Sequence, residues 1–484
     1  MKSGKDVSSA GRREVLRAGL ASLAWAGIGG TTLVPLLSQS AQADAGPSGP
    51  HFAPKARRAI WLFMGGGPSQ LELFDYKPGL ANLFDQDLPA SVRNGQRLTG
   101  MTSGQGRLPI APSPFRFLQY GQSGAWVSEL LPYTQRIVDD LAIVKSVSSE
   151  QINHDLAMSS INTGSQLPGK PSLGAWLSYG LGRLRDDLPP YAVMTSRFTD
   201  RGFVQAIASR FWGSAFLPAS NAGVPLRGVG DPVLYLPNPA GVSAGSRRAM
   251  LDALGKLNSL SESRVGDPSI SERTEQFELA YRMQSSMPSL LDLSGESDAT
   301  LNLYGDDVRT PGTFAANCIA ARRMVEKGVR FVQIYHRGWD AHITAPESLR
   351  VQCRDVDQAC YGLITDLKER GLLEDTLVIW GGEFGRTVYS QGTLTRDDYG
   401  RDHHARCFSM WLAGGGVRAG QVYGQTDDFS YNVVENEVPL RNLHATILHL
   451  FGLDPERLTF KNAGLIEKLT GTGAPAQPVV DLMA

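Results

Sequence analysis

The chain has 484 residues, of which 42% are hydrophobic and 20% charged, and this composition excludes an intrinsically disordered or collagen-like protein. Its 47 basic and 48 acidic residues give a formal charge of −1, which disfavours nucleic acid or an anionic lipid surface as a partner. Only four cysteines occur, none in a CxxC pair, so they are expected to be unpaired.

The first 43 residues are typical of an export signal. Arg12 and Arg13 precede a weakly apolar run from Ala18 to Leu37, which ends before Ala41-Gln42-Ala43. The arginine pair and the glycine-diluted run resemble a twin-arginine signal, whereas a membrane anchor is the alternative interpretation. We expect cleavage after Ala43, export through the twin-arginine pathway, and a periplasmic or secreted protein. No later segment has an apolar run long enough to span a bilayer.

Residues 44–56 are rich in Pro, Gly and Ala and are predicted to be a linker, followed by one domain over residues 57–484. Short apolar runs predict buried strands at Arg58 to Met64, Leu141 to Val147, Tyr191 to Met194, Val329 to Tyr335, Thr376 to Trp380 and Phe408 to Leu412.

Amphipathic patterns between these runs predict helices at His154 to Thr163, Leu173 to Leu181, Arg247 to Leu260, Glu272 to Gln284, Thr313 to Lys327, Ser348 to Arg370 and Arg441 to Phe451. Apolar strands that alternate with helices indicate an α/β fold with a mostly parallel central sheet and helices on both faces. Residues 93–124 and 197–245 lack periodicity and are expected to be surface insertions. Ligands of such sheets bind beyond the carboxyl ends of the strands.

Three polar clusters lie next to predicted strands. Asp340 and His342 follow the strand that ends at Tyr335, and a carboxylate and an imidazole at this spacing can reach one divalent cation. Polar loop residues bonded to nearby backbone are the other interpretation. Glu383 and Arg386 follow the strand that ends at Trp380, where Arg386 could hold an oxyanion or simply pair with Glu383 at the surface.

The third cluster contains the adjacent histidines His403 and His404, just before the strand that begins at Phe408. Three such clusters together favour a metal or catalytic centre. His154, at the start of a predicted helix with Asn153 as its N-cap, is directed toward the same sheet edge. His444 lies in an amphipathic helix and is expected to be a packing residue, and Ser69 is either a nucleophile or a loop hydroxyl.

These motifs resemble the bacterial proteins grouped under domain of unknown function 1501, which belong to the alkaline phosphatase and sulfatase superfamily. The matching stretches are GGGPSQLELFDYKP, NHDLAMSSINTG, GVRFVQIYHRGWDAH, DLKERGLLEDTLVIWGGEFGRT, GRDHHARCFSMWLAGGGVRAGQVYGQTD and LHATILHLFGLDPERLT, in family order from about Arg57 onward. The resemblance implies an alkaline phosphatase-like fold and a metal-dependent hydrolase of phosphate or sulfate esters.

The resemblance also implies roles for individual residues. Asp340 and His342 are similar to one ligand group of the superfamily, and His403 or His404 is similar to its last histidine ligand. Glu383 stands where the superfamily has an aspartate ligand, and Phe384 where it has a histidine. His154 occupies the approximate place of the nucleophile. These departures leave two metals, one metal or none as alternatives.

The leading hypothesis is an exported ester hydrolase with His154 and Arg386 as catalytic residues. Its divalent cation, zinc, manganese or calcium, is expected to be bound by Asp340, His342, Glu383, His403 and His404. The substrate is expected to be a small-molecule or glycan ester. The alternative is a non-catalytic exported protein that keeps the superfamily fold for binding or assembly.

Overall fold

The computed structural model describes residues 49–199, 204–228, 233, 238, 240–267 and 269–484. The predicted signal, with Arg12, Arg13 and the cleavage site after Ala43, lies outside these residues. Residues 51–56, part of the predicted linker, are hydrogen-bonded to the main chain: His51 N donates to Gly452 O (2.8 Å), and Lys55 N donates to Leu450 O (2.8 Å).

Seventeen strands occur in the described residues. They are β1 (Arg58–Gly65), β2 (Phe117–Tyr120), β3 (Ala125–Ser128), β4 (Leu141–Ser148), β5 (Tyr191–Thr195), β6 (Val224–Leu226), β7 (Phe331–Arg337), β8 (Thr376–Gly381), β9 (Gly385–Leu394), β10 (Tyr399–His404), β11 (Phe408–Ala413), β12 (Gln421–Tyr423), β13 (Gln425–Thr426), β14 (Val433–Glu435), β15 (Val438–Pro439), β16 (Phe460–Asn462) and β17 (Leu465–Glu467).

Ten α-helices occur in the same residues. They are α1 (Gln70–Leu73), α2 (Ala90–Arg93), α3 (His154–Thr163), α4 (Leu173–Leu181), α5 (Ala244–Val265), α6 (Ser269–Leu291), α7 (Asp298–Tyr304), α8 (Phe314–Glu326), α9 (Ala345–Glu369) and α10 (Leu440–Leu450). No helix in the described part of the chain combines the length and apolar character needed to cross a bilayer.

Within the described residues the central sheet has nine strands, in the order β12-β4-β11-β8-β1-β7-β5-β6, with β15 beside β4. Strand β11 is antiparallel to both of its neighbours, and the remaining pairs in the sheet are parallel. The predicted mostly parallel α/β sheet is therefore confirmed.

Helices cover both faces of this sheet. Alternate side chains of β1 pack against different helices. Ile60 and Leu62 pack in an apolar cluster that contains α8 and α9, whereas Trp61 and Phe63 pack in a second cluster with α4 and α10. Because successive side chains of a strand point to opposite faces, a strand buried on both faces needs a continuous apolar sequence. The sequence of β1 meets this requirement.

The carboxyl ends of β4, β8, β1 and β7 lie at one edge of the sheet, because these four strands run in the same direction. The segments after these ends carry His154, the Asp340–His342 cluster and Glu383. The antiparallel hairpin of β9 and β10, which the sequence did not predict, adds residues to the same edge and pairs His403 with Arg386 in its register.

Candidate metal centre

Four side chains converge at this edge of the sheet. His154, Asp340, His342 and His403 each offer one ligand atom, and these atoms all lie within 4.8 Å of one another. His154 is the first residue of α3, which follows β4, whereas Asp340 and His342 follow β7, and His403 lies in β10. Residues distant in the chain therefore form one cluster because their strands end together.

Asp340 lies at the centre of the cluster. Its Oδ1 lies 3.0 Å from Nε2 of His342 and 3.2 Å from Nε2 of His403, and it accepts a hydrogen bond from Arg386 Nη2 (2.8 Å). Its Oδ2 lies 3.2 Å from Nε2 of His154. The carboxylate thus faces three imidazoles and one guanidinium.

Burial would raise the pKa of the Asp340 carboxyl, but the charge of Arg386 and the three imidazoles that face the carboxylate outweigh burial and hold this pKa well below its usual range. Asp340 is therefore a permanent anion. A buried carboxylate that stays ionised offers an anionic oxygen ligand to a cation.

The outer nitrogen of each imidazole faces an oxygen. The three pairs are His154 Nδ1 with Glu383 Oε1 (2.7 Å), His342 Nδ1 with Gln391 Oε1 (2.6 Å) and His403 Nδ1 with Ile152 O (2.7 Å). Because all three oxygens are acceptors, each ring carries its proton on Nδ1 when it is neutral. The lone pairs of the three Nε2 atoms are then directed at Asp340.

The pKa values of two of these histidines are shifted in opposite directions. Burial lowers the pKa of His154, but the Asp340 and Glu383 carboxylates beside it have the larger combined effect and raise it. For His403, burial and the positive charges of Arg386 and His154 outweigh Asp340 and lower the pKa to about 4.

The donor set fits a divalent cation. Nε2 of His154 is buried and forms no hydrogen bond within the described residues. An imidazole fixed by an Nδ1–H bond to a carboxylate or carbonyl, with Nε2 directed inward, is the usual arrangement of a histidine ligand in metalloproteins. Imidazole nitrogen and carboxylate oxygen are both ligands that zinc takes, and four of them match its usual coordination number.

Glu383, predicted as a metal ligand, is not a member of the four-residue cluster. Its carboxylate is fully buried and accepts from the backbone N–H of Gly66 at 3.0 and 3.2 Å as well as from His154. Gly66 has a φ of 119°, and a Cβ there would lie 2.6 Å from the backbone nitrogen of Asp340. Glu383 therefore positions His154 and the loop after β1.

Arg386, predicted to hold an oxyanion, is fully buried and its donors are already engaged. Its three guanidinium nitrogens donate to the backbone oxygens of Gly66, Gly67, Trp339 and Arg401 and to Asp340 Oδ1. The prediction of an oxyanion contact is corrected accordingly, because a ligand would have to break these bonds. Arg386 instead neutralises Asp340 and fixes its orientation.

His404, also predicted as a ligand, is directed away from the cluster. Its Nε2 bonds to Tyr431 O at 2.7 Å, and its ring stacks on Tyr431 at a centroid distance of 4.2 Å. Successive residues of a strand point to opposite sides, so only one of His403 and His404 can face the centre. The structure places His403 there and corrects the prediction for His404.

The structure also shows the surroundings of His444 and Ser69, two further polar residues considered in the sequence. His444 is buried in α10 and bonds to Ile161 O at 2.8 Å, as expected of a packing residue. The Ser69 hydroxyl is buried with no hydrogen-bond partner among the described residues.

Two residues of the site were missed by sequence analysis. Gln391 in β9 positions His342, and Gln205, from the predicted insertion 197–245, donates from Nε2 to Asp340 Oδ2 at 2.6 Å. A lone glutamine in a polar stretch carries no signal for this role. Gln391 lies in the sequence between the Glu383–Arg386 cluster and the His403–His404 cluster, and only this position could have suggested its role.

Comparison with solved structures finds several enzymes at low similarity. The sulfatase PsFucS1 from Pseudoalteromonas sp. is 13% identical with a TM-score of 0.33, over 83% of this chain and 68% of that chain. The alkaline phosphatase of the Antarctic bacterium TAB5 is 11% identical with a TM-score of 0.32, over 83% and 100%. The lipoteichoic acid synthase LtaP from Listeria monocytogenes is 11% identical with a TM-score of 0.31, over 87% and 76%.

No curated protein matches the chain in sequence. A family profile, described as "Protein of unknown function (DUF1501)", matches residues 56–483. This match covers most of the chain and includes all four residues of the cluster. The chain therefore belongs to the DUF1501 family.

Proposed function

We propose that the chain binds one divalent cation through His154, Asp340, His342 and His403 and hydrolyses phosphate or sulfate esters at this centre. The observation that carries the proposal is the convergence of three Nε2 atoms on the Asp340 carboxylate, with each Nδ1 fixed by an oxygen. A cation bound between these imidazole nitrogens and the carboxylate accounts for this convergence.

We propose zinc or manganese rather than calcium as the ion, because calcium prefers oxygen ligands whereas imidazole nitrogens suit transition metals and zinc. When bound, such an ion supplies Lewis-acid chemistry that polarises an ester oxygen and stabilises developing negative charge. Around it, Glu383 fixes the ring of His154, Gln391 fixes the ring of His342, and Arg386 fixes Asp340.

The charge around the centre supports a divalent cation. The buried charged groups in contact with the four ligand residues are Glu383, Arg386 and Asp402, the last of which accepts from the backbone N–H of His403. Together with Asp340 they are three carboxylates and one guanidinium, and a divalent cation offsets their net negative charge. As the substrate we propose a small-molecule or glycan ester of phosphate or sulfate, whose oxygens the cation would polarise.

A second candidate is a non-catalytic binding or assembly protein with a structural cation. The side chains of the four ligands are only 4% to 12% exposed. Four protein ligands also complete a tetrahedral shell, which is typical of structural zinc sites, whereas catalytic sites keep a position open.

The experiment that tests the proposal combines elemental analysis of the purified chain with assays on p-nitrophenyl phosphate and p-nitrophenyl sulfate. We expect one equivalent of metal and hydrolysis of at least one ester, and we expect His342→Ala to lose both. Metal without hydrolysis of either ester would support the second candidate. Absence of metal after supply of zinc and manganese would refute both.

We also propose that the protein acts outside the cytoplasm, after export through the twin-arginine pathway. Support for this location comes from the Arg12-Arg13 pair and the Ala41-Gln42-Ala43 site in the sequence. The twin-arginine pathway exports folded proteins, which agrees with a cation bound before export.

A further inference from the structure

An ester hydrolase needs donors for the anionic group of its substrate, and Arg386 is not available for that task. Its guanidinium is enclosed and donates to four backbone oxygens and to Asp340. Donors for an oxyanion must therefore come from another part of the chain.

The two oxygens of Asp340 face different surroundings. Oδ1 faces Arg386, His342 and His403 in the interior. Oδ2 faces His154, whose side chain is the most exposed of the four at 12%, and Gln205, which is half-buried. The accessible side of the centre is thus the side of Oδ2.

Gln205, from the insertion that follows β5, contacts the Oδ2 side of Asp340. Its Nε2 donates to Asp340 Oδ2 at 2.6 Å. A carboxylate that ligates a cation is a weaker hydrogen-bond acceptor, because its charge is shared with the ion. The Gln205 amide would then be free to donate to an oxygen of a bound anion, next to the cation.

Arg210, five residues later, contacts the start of the helix that carries His154. It forms an ion pair with Asp155, the residue after His154, and the two side chains are 39% and 65% exposed. Exposed ion pairs contribute little to stability, so the guanidinium can exchange Asp155 for another anion at small cost. Arginine also binds the paired oxygens of phosphate or sulfate with matched geometry.

We propose that Gln205 and Arg210 form an oxyanion subsite over the metal centre, which takes the tetrahedral phosphate or sulfate group of an ester. This inference rests on the proposed function, because the cation supplies the third contact to the anion. It assigns a binding role to two residues of the insertion that the sequence indicated only as a surface loop.

The test uses the full mature chain loaded with zinc and titrated calorimetrically with inorganic phosphate and, separately, with sulfate. We expect Gln205→Ala to weaken binding of the preferred anion by about tenfold or more, because a hydrogen bond to a charged group contributes roughly 1.5–3 kcal/mol. Arg210→Ala should weaken it by about threefold, since the guanidinium is exposed. Both variants should keep the zinc content of the wild type.

Two control variants test whether the loss of any exposed ion pair or any half-buried glutamine weakens anion binding. Arg185→Ala breaks another exposed ion pair, with Asp187, and Gln358→Ala removes another half-buried glutamine, which bonds to Asn302 O. Both should bind the anion as the wild type does. The anion that binds, phosphate or sulfate, identifies the ester class.

Two results would overturn the inference while the metal proposal stands. One is unchanged anion affinity in Gln205→Ala, and the other is loss of zinc in that variant, which would make Gln205 part of the metal shell. A zinc-loaded wild type that binds neither anion would also overturn it. Failure of the wild type to bind either zinc or manganese is seen before any anion is added and refutes the proposed function itself.

Discussion

His154 and Glu383 are joined by a hydrogen bond of 2.7 Å between Nδ1 and Oε1, although 229 residues separate them in the chain. The bond links the helix after β4 to the loop after β8. It also fixes which nitrogen of His154 faces Asp340, so the geometry of the centre depends on a residue outside the ligand set.

Replacement of Glu383 by alanine should weaken metal binding by about 10- to 100-fold, because the His154 ring loses the bond that orients it. Glu383→Gln keeps an acceptor oxygen and should recover part of the affinity. Competition with a chromophoric chelator measures both variants. Equal zinc affinity in the wild type and Glu383→Ala would show that His154 needs no such support.

Replacement of Arg386 by alanine should lower the free energy of unfolding by about 3–5 kcal/mol, because Asp340 would remain as a buried anion without its main counter-charge. Several backbone oxygens would also lose their donor. Denaturant unfolding of the metal-free protein measures the effect. A variant of wild-type stability that had lost only its affinity for phosphate would instead restore the oxyanion role.

The sequence predicted the fold better than the site. Apolar runs such as β1 and β8 identify buried strands because burial on both faces leaves little room for polar residues. The β9–β10 hairpin has no such run, since its buried side chains include Arg386 and Arg401, which are satisfied by hydrogen bonds. The choice of His403 over His404 depends on the orientation of β10, which the sequence alone does not define.

Acid should destabilise the protein between pH 6.5 and about 4, in part through His444. Burial lowers the pKa of this residue to about 4. Between these values the unfolded chain binds a proton that the folded chain does not, so stability is complete above pH 6.5 and falls as the pH drops toward 4. For His444 this loss is on the order of 3 kcal/mol.

His444→Gln tests this directly, because the glutamine amide can still donate to Ile161 O but does not titrate. The variant should be less stable than the wild type at pH 7.5, yet lose less stability on acidification. Thermal melting at several pH values between 7.5 and 4.5 gives the comparison. Parallel curves for the two proteins would mean that His444 is not a source of the acid sensitivity.

Export should depend on the arginine pair at the start of the chain. Replacement of both Arg12 and Arg13 by lysine should retain the precursor in the cytoplasm, because the twin-arginine pathway requires the pair. Fractionation and immunoblotting of cells that express each form measure the distribution. An unchanged periplasmic yield would exclude this route.

Thermal stability should not change under reductant. All four cysteines are buried and unpaired in the structure, so there is no disulfide to reduce. The melting temperature of the mature protein with and without dithiothreitol provides the measurement. A decrease with dithiothreitol would reveal a disulfide that the structure does not contain.

The metal content of two adjacent histidine variants tests the metal centre most directly. His403→Asn keeps a donor for Ile152 O but removes the inward nitrogen, whereas His404→Gln keeps a donor for Tyr431 O. After loading with zinc and removal of excess metal, elemental analysis should find one equivalent in the wild type and in His404→Gln and much less in folded His403→Asn. Equal zinc in both variants, or no zinc in the wild type, would contradict a centre built on His154, Asp340, His342 and His403.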